Sequence, residues 1–234
     1  MHFRVPKPLH GWREFAGEVG IIVVGVLIAL GAEQVVEMAH WRAEVREFRT
    51  AENAELAHNL AAFRYRLIQG NCVARRIADL QRWEDSSRVG KTEPLDTEIG
   101  RPSLIVFRTS VWSARDDALS HMPLALRLNY SDLYDLLDNA SQQITAEREA
   151  WRNLAAFNAA DPLSAEDRRR LSELLYRAKS IDWVLRSNWR VIHTDAEQLG
   201  IKPDFGADKL FIPPPNPDFC KPLLVSEKSP AGTS

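Results

Sequence analysis

An all-α protein is the fold class this sequence predicts: an N-terminal transmembrane helix continuing into an antiparallel helical bundle, closed by a Pro-rich extended tail. Three observations lead there. Ala, Leu, Arg and Glu dominate while Gly is sparse through the middle of the chain, a bias that favours helix. Apolar residues recur at three- and four-residue spacing from Trp41 to Ile192, the period of a helix with one buried face. Alternation of apolar and polar residues, the signature of a half-buried strand, is missing except around Leu104-Ile105-Val106-Phe107.

The first element is the anchor. Val19 to Ala32 reads VGIIVVGVLIALGA, about 21 Å as helix and so shorter than the ~30 Å of bilayer hydrocarbon. By length alone it also fits a signal-peptide core or a buried helix, and Ala29-Leu30-Gly31 has the small residues a signal peptidase uses. Extension from Phe15 to Val36 gives about 33 Å, with Glu18 and Glu33 near enough to the ends to reach head groups. Trp12 and Trp41 lie about 43 Å apart on a continuous helix, at the two interfaces where Trp is favoured. An uncleaved anchor over 15–36 is therefore expected, after a short cytoplasmic segment at 1–14. Arg4, Lys7 and Arg13 precede the core and Glu33 and Glu37 follow it, so the positive-inside rule puts the N-terminus in the cytoplasm and the bulk of the chain in the periplasm.

Residues 37–200 are expected to form the helical domain. Val45, Phe48, Leu56, Leu60, Phe63, Leu67, Ile77, Leu80 and Trp83 continue the first helix, with Gly70-Asn71 the place for a kink or break. Unbroken beyond the membrane it would reach about 70 Å, so it breaks near Gly70 or projects as a stalk. A loop is expected over about 85–108, from Asp85-Ser86-Ser87 through Gly90, Pro94, Gly100 and Pro102. A short helix should start near Thr109-Ser110 and stop before Pro123. A longer one should run from about Ser131 to Phe157, burying Leu133, Leu136, Leu137, Ala140, Ile144, Trp151 and Leu154. After Asp161-Pro162, Ser164-Ala165-Glu166-Asp167 is a helix start signal, and Gly200 stands where a helix-ending glycine belongs. Short links imply antiparallel neighbours. The tail, 201–234, carries Pro203, Pro213-Pro214-Pro215, Pro217 and Pro222 and cannot be helical throughout. Phe205, Phe211, Ile212 and Phe219 should hold it against the bundle to about Val225, with disorder beyond.

Trp12-Arg13-Glu14-Phe15, Gly17-Glu18 and Gly25-Val26-Leu27-Ile28-Ala29-Leu30 resemble the N-terminus of a group of uncharacterised bacterial single-pass membrane proteins. TSVWSARDDALSHMP at Thr109 to Pro123, followed by Tyr130 and Tyr134, is similar to the same group. The resemblance covers about half the chain and implies an inner-membrane protein with an N-terminal anchor and a helical extracytoplasmic domain. It brings no catalytic residue.

The residues themselves are sparing with chemistry. A net charge of −2 over 234 residues leaves no field to draw in nucleic acid. Two Glu-x-x-His matches, Glu37/His40 and Glu55/His58, have the spacing of di-iron carboxylate sites. Both lie on one helix about 27 Å apart and cannot share an ion. Asp117 and His121 are four apart, a weak acid–base pair or a plain polar contact, and His121-Met122-Pro123 with Trp112 would pack a helix corner or line a small apolar cavity. Arg168-Arg169-Arg170 follows Glu166 and Asp167 and reads as a solvated face, or as a lipid contact if that end faced a membrane. With no phosphate loop, nucleophile elbow or zinc helix motif, no catalytic residue, metal or cofactor is expected.

Two features bear on partners besides the lipid bilayer. Gly25, Ala29 and Ala32 fall at i, i+4 and i+7, with Glu18 one heptad before, a small-residue strip along which two anchors could approach. Cys72 and Cys220 are the only cysteines. In an exported domain they would pair; the bland alternative is two buried thiols. The function expected is a non-enzymatic envelope module whose bundle binds another protein or scaffolds a membrane complex, its partner a second copy of itself or another envelope protein. The alternative is a periplasmic ligand-binding or sensor-like bundle acting through a partner, since the segment before Phe15 is too short for an output domain.

Overall fold

The computed structural model describes residues 11–91, 94–114, 117–160, 162–205 and 217–224, with Arg13 and Glu14 described by their backbone alone. It is mostly helical, and no strand occurs among the described residues. The elements are α1 (Trp12–Ile68), α2 (Gly70–Arg88), α3 (Ser110–Ala114), a 3-10 turn (Asp117–His121), α4 (Leu124–Ala155), a second 3-10 turn (Ala156–Ala159), α5 (Ala165–Gln198) and a third (Asp218–Cys220). The chain divides into two compact units, one of residues 1–50 and 116–122 and the other of 51–115 and 123–234.

The first unit holds the apolar part of α1 and the 3-10 turn at Asp117–His121. From Val19 to Met38 the large apolar side chains are exposed on every side of the helix, as Ile21 at 76% and Val36 at 69% illustrate. Next to this stretch His121 lies face to face with Trp41, ring centroids 3.7 Å apart, while the Trp41 indole donates to Glu37.

The second unit contains the core. Val73, Ile77, Leu80 and Trp83 of α2 pack with Trp151 and Leu154 of α4 and with Leu171, Leu174, Leu175 and Ala178 of α5. Helix α5 touches both α4 and α2. Along α4 a buried stripe of Tyr130, Leu133, Leu137, Ala140, Ile144, Glu147, Trp151 and Leu154 alternates by three and four, with Tyr134 and Ala150 buried beside it.

Local chemistry sets the boundaries. The Ser164 side chain accepts from the Asp167 amide at 3.1 Å, and the Asp167 carboxylate accepts from the Ser164 amide at 3.0 Å, a reciprocal cap at the start of α5. At the other end Gly200 has φ +74°, and the amides of Gly200 and Ile201 donate to Glu197 and Ala196, the two bonds of a Schellman ending. Helix α2 ends the same way, with the amides of Gly90 and Lys91 on Ser87 and Ser86.

That ending corrects the loop expected from residue 85. Asp85, Ser86 and Ser87 are helical, because α2 continues until a glycine can take the left-handed turn, and Arg88 ties back to Glu84 at 2.6 Å. Helix α4 likewise starts at Leu124 instead of Ser131. Pro123 enters it with ψ 132°, and its carbonyl accepts from the Arg127 amide at 3.0 Å, so a residue without an N–H sits where none is needed. The helix expected over Thr109 to Pro123 is two pieces, α3 and a 3-10 turn. Leu104 to Phe107 is irregular backbone and no strand; just beyond it the Asn59 side-chain amide donates to the Arg108 carbonyl at 2.7 Å and accepts from the Arg108 N–H at 2.8 Å, pairing that one residue as a neighbouring strand would.

Helices α1 and α2 meet at Gln69. Its side-chain oxygen accepts from the Ser103 amide at 2.9 Å, and a Cβ on the adjacent Gly70 would collide with the Arg186 guanidinium. Glycine there lets α5 lay a long cation across the joint. The prolines at 213–215, with Phe211 and Ile212, and everything from Val225 onward fall outside the described residues. Of the tail, Phe219, Leu223 and Leu224 are buried in the core.

Candidate functional site

Three places concentrate chemistry or unusual exposure. The first is the apolar stretch of α1, which is the one helix among the described residues long and apolar enough to cross a membrane, and is compatible with a single anchor. Gly25, Ala29 and Ala32, with Glu18 before them, are exposed on it, and a Cβ placed on Gly25 would meet nothing within 4 Å.

The second is the seat of the tail on α2. Cys72 and Cys220 form a disulfide with Cα atoms 4.8 Å apart. Four residues of α2, Cys72, Arg75, Arg76 and Asp79, fall at i, i+3, i+4 and i+7 and hence on one face. Arg75 donates to the Cys220 carbonyl at 3.1 Å. Arg76, 1% exposed, reaches two stretches of the chain, Thr97–Glu98 and Asp218–Lys221. One nitrogen bonds the Thr97 hydroxyl and the Glu98 carbonyl, the other the carbonyls of Asp218, Phe219 and Lys221, all at 2.9–3.2 Å. Its guanidinium also lies over the Phe219 ring. Burial pulls the Arg76 pKa below its ordinary value, against the nearby charge of Asp79. Asp79 itself accepts from the Leu223 amide at 2.9 Å and from Arg82.

The third is a polar cluster inside the second unit, where α1, α3 and α4 meet. Glu52 and Glu55 stand one turn apart on α1 and both are buried. The Tyr134 hydroxyl of α4 lies 2.6 Å from Glu52 Oε2 and 2.7 Å from Glu55 Oε1. Glu55 Oε2 accepts from the Ser110 hydroxyl at 2.9 Å and the Val111 amide at 3.0 Å, both of α3. Glu52 Oε1 is buried and unpartnered. Trp112 stacks on Tyr134 with ring centroids 4.8 Å apart, and the Tyr130 hydroxyl donates to Asn53 at 2.6 Å. Burial, with the neighbouring charge of Glu55 adding to it and the Tyr134 bond opposing, pushes the Glu52 pKa up to about 7. For Glu55 burial also raises, but bonds from Val111, Tyr134 and Ser110 outweigh it and the net direction is down. Burial and both carboxylates raise the Tyr134 phenol.

Deeper along the same helices, Arg66 of α1 donates two bonds to Glu147 of α4 and one to Asp182 of α5. Asp182 also takes Arg186 at 2.7 Å. Burial works against the charge on Arg66, yet its two acidic partners leave its pKa raised.

The residues singled out from sequence are dispersed among these places. Glu37 and His40 lie on the exposed stretch of α1, where Glu37 serves Trp41 and His40 stands 4.0 Å from Glu44. Glu55 and His58 are buried in the second unit, with the Glu55 carboxylate spent on Tyr134 and α3. No group of three metal-ligating side chains occurs among the described residues. His121 stacks on Trp41, and Trp112 packs on Tyr134. In the basic run Arg169 pairs with Glu166, and Arg168 donates to the Leu163 carbonyl at 2.8 Å, so two of the three side chains close the first turn of α5. Sequence reasoning misses Glu52, Tyr134, Arg66, Glu147 and Asp182 as interacting groups. The one available signal is that Glu147 breaks the apolar alternation of α4 at a position that should face inward. Compared with protein-family models, with curated proteins and with solved structures, the chain matches none of them.

Proposed function

We propose that this chain is a membrane-anchored helical module of the bacterial cell envelope, single-pass, with its bulk in the periplasm, and that it acts by binding another protein or a second copy of itself. The observation that carries the reading is the apolar stretch of α1. It exposes apolar side chains around its whole circumference, which in water would be a liability and in lipid is the expected state. Trp12 and Trp41 bracket it at the spacing of two interfaces. Arg4, Lys7 and Arg13 before it and Glu33 and Glu37 after it set the orientation. The disulfide between Cys72 and Cys220 fits a domain matured in an oxidising compartment.

The second unit is then an antiparallel bundle closed by the Pro-rich tail. Supporting that direction, Asn188 donates to Asn139 and Arg177 to Glu149, so positions advance on α4 as they retreat on α5. The bundle gives its interior to packing and structural ion pairs. Its α5 surface shows Tyr176 and Trp183, one heptad apart and exposed at 78% and 68%, aromatic anchors of the kind that interfaces favour.

The test uses the full chain in its own membrane. The mature protein should keep Met1 to Ala32, resist an alkaline carbonate wash, and activate an export-dependent reporter fused after Ser234. A photo-crosslinker at Trp183 should give one discrete adduct in mild detergent. A mature N-terminus near Ala32 would remove the anchor, and a chain monomeric from every α5 position would remove the binding role. The sensor alternative is favoured by the buried Glu52–Tyr134–Glu55 cluster. It predicts a partner whose occupancy changes with the chemical environment.

A further inference from the structure

Counting protons at the Glu52–Tyr134–Glu55 cluster gives a result beyond the functional reading above and independent of it. The Tyr134 hydroxyl has one hydrogen and lies within hydrogen-bond distance of two carboxyl groups, at 2.6 and 2.7 Å. It can donate to one only. A second contact of that length between unprotonated oxygens would set two lone pairs against each other in a buried place. Both contacts are hydrogen bonds only if a second proton resides on one of the carboxyl groups.

The surroundings decide which. Glu55 receives a hydroxyl and a backbone N–H from α3 in addition to Tyr134, and three donors stabilise an anion. Glu52 is fully buried, and one of its oxygens has no partner at all. As an anion it would carry an unsolvated lone oxygen beside a second negative charge. The order is therefore Glu52 O–H to Tyr134, and Tyr134 O–H to Glu55 carboxylate.

We infer that Glu52 holds a proton that latches α3 to α1 and α4 through Tyr134 and Glu55, and that loss of this proton releases α3. With the proton gone, one hydroxyl hydrogen must serve two anions a single helical turn apart. The groups that face Glu52 are Glu55 on its own helix, Tyr134 on α4 and, through Glu55, Ser110 and the Val111 amide on α3, with Tyr130 bonded to Asn53 alongside. The charge acting on Glu52 is that of Glu55 and is repulsive. Release costs Ser110 and Val111 their shared acceptor and Trp112 its stack on Tyr134. The transition falls near neutrality, where burial has brought the Glu52 carboxyl, at about 7.

Amide hydrogen exchange over residues 108–114, measured on the full chain in detergent micelles and corrected for the intrinsic pH effect, tests the latch. Protection should fall about tenfold or more between about pH 6 and about pH 8. In Glu52→Gln, whose amide donates to Tyr134 at any pH, protection should stay level. Wild-type protection that does not change, or Glu52→Gln following the wild-type profile, would overturn the inference. Infrared difference spectra of the wild-type chain keep the question decidable if Glu52→Gln fails to fold. A carboxylic-acid carbonyl band should be present at the lower pH, vanish at the higher, and move in Tyr134→Phe. Its absence would mean both carboxyl groups are ionised, which ends the proposal.

Discussion

Residues 19–36 and 51–68 belong to one helix, α1, and meet their surroundings in opposite ways. The first stretch puts Val, Ile and Leu on all sides and leaves them exposed; the second turns Glu52, Glu55, Asn59 and Arg66 inward and covers them. Hydrophobicity by itself says nothing about which of the two is interior. In the second stretch these four polar side chains have partners from other elements: Tyr134 for Glu52 and Glu55, Arg108 for Asn59, Glu147 and Asp182 for Arg66. Such a group is tolerated inside when it is bonded, and each bond fixes which helix lies against which. The apolar stretch carries no such information: its exposed Val, Ile and Leu side chains single out no neighbour.

The contrast can be tested from its largest expected effect downward. Cys72→Ser with Cys220→Ser opens a loop of 148 residues, which chain-entropy models value at about 5 kcal/mol as a ceiling. The second unit should melt much earlier by circular dichroism, while membrane retention of the chain stays as it was. Arg66→Ala leaves Glu147 buried without its cation and should lower urea stability by about 3–5 kcal/mol. Ile22→Ala in the apolar stretch should leave the urea curve where it is. If Ile22→Ala destabilised the second unit as much as Arg66→Ala, the division of labour along α1 would be wrong.

A smaller effect follows from pH. The Glu52 carboxyl is raised from 4.5 to about 7, so between these values the folded state holds more protons than the unfolded state. Stability then falls as pH rises across that window and levels off above it, by about 3 kcal/mol at most. Glu55, shifted downward, acts in the other direction below its ordinary value. Urea titrations at several pH values should show the decline in the wild-type chain and a shallower one in Glu52→Gln. Parallel declines would detach the effect from Glu52. The smallest expected effect is in the apolar stretch: Gly25→Ile and Ala29→Ile should weaken self-association in a membrane two-hybrid assay. Unchanged association in both would remove that strip as an interface.

What the sequence discloses follows the range of the interaction. Helical periodicity names Leu133, Leu137, Ile144, Trp151 and Leu154 as inward residues because burial repeats every three or four positions. Ser164 and Gly200 are legible because a cap is finished within four residues. Tyr134 lies 82 residues from Glu52 and Asp182 lies 116 from Arg66, and nothing local marks them. Periodicity leaves Glu52 and Arg66 unremarked and offers Glu55 only as half of a Glu-x-x-His match, since a charged side chain turned inward is identified only by its distant partner. The start of α4 is hidden for a related reason. The sequence suggests a start near Ser131, but the two turns before it are already helical, entered through Pro123, and the Tyr130 hydroxyl among them bonds to the distant Asn53.

The tail's seat on α2 has a consequence in time. Phe219, Leu223 and Leu224 belong to the same core as Val73 and Ile77, and the thiol that meets Cys72 is 148 residues downstream. At synthesis rates of about 5–20 residues per second, α2 must wait roughly 7–30 s for the segment that covers it. Even once α4 and α5 have packed, the part of that face that Phe219, Leu223 and Leu224 cover stays open until the end, and Cys72 is an unpaired nucleophile, available to any passing thiol or disulfide. Folding of this unit is thus a race that begins before its last contestant has arrived.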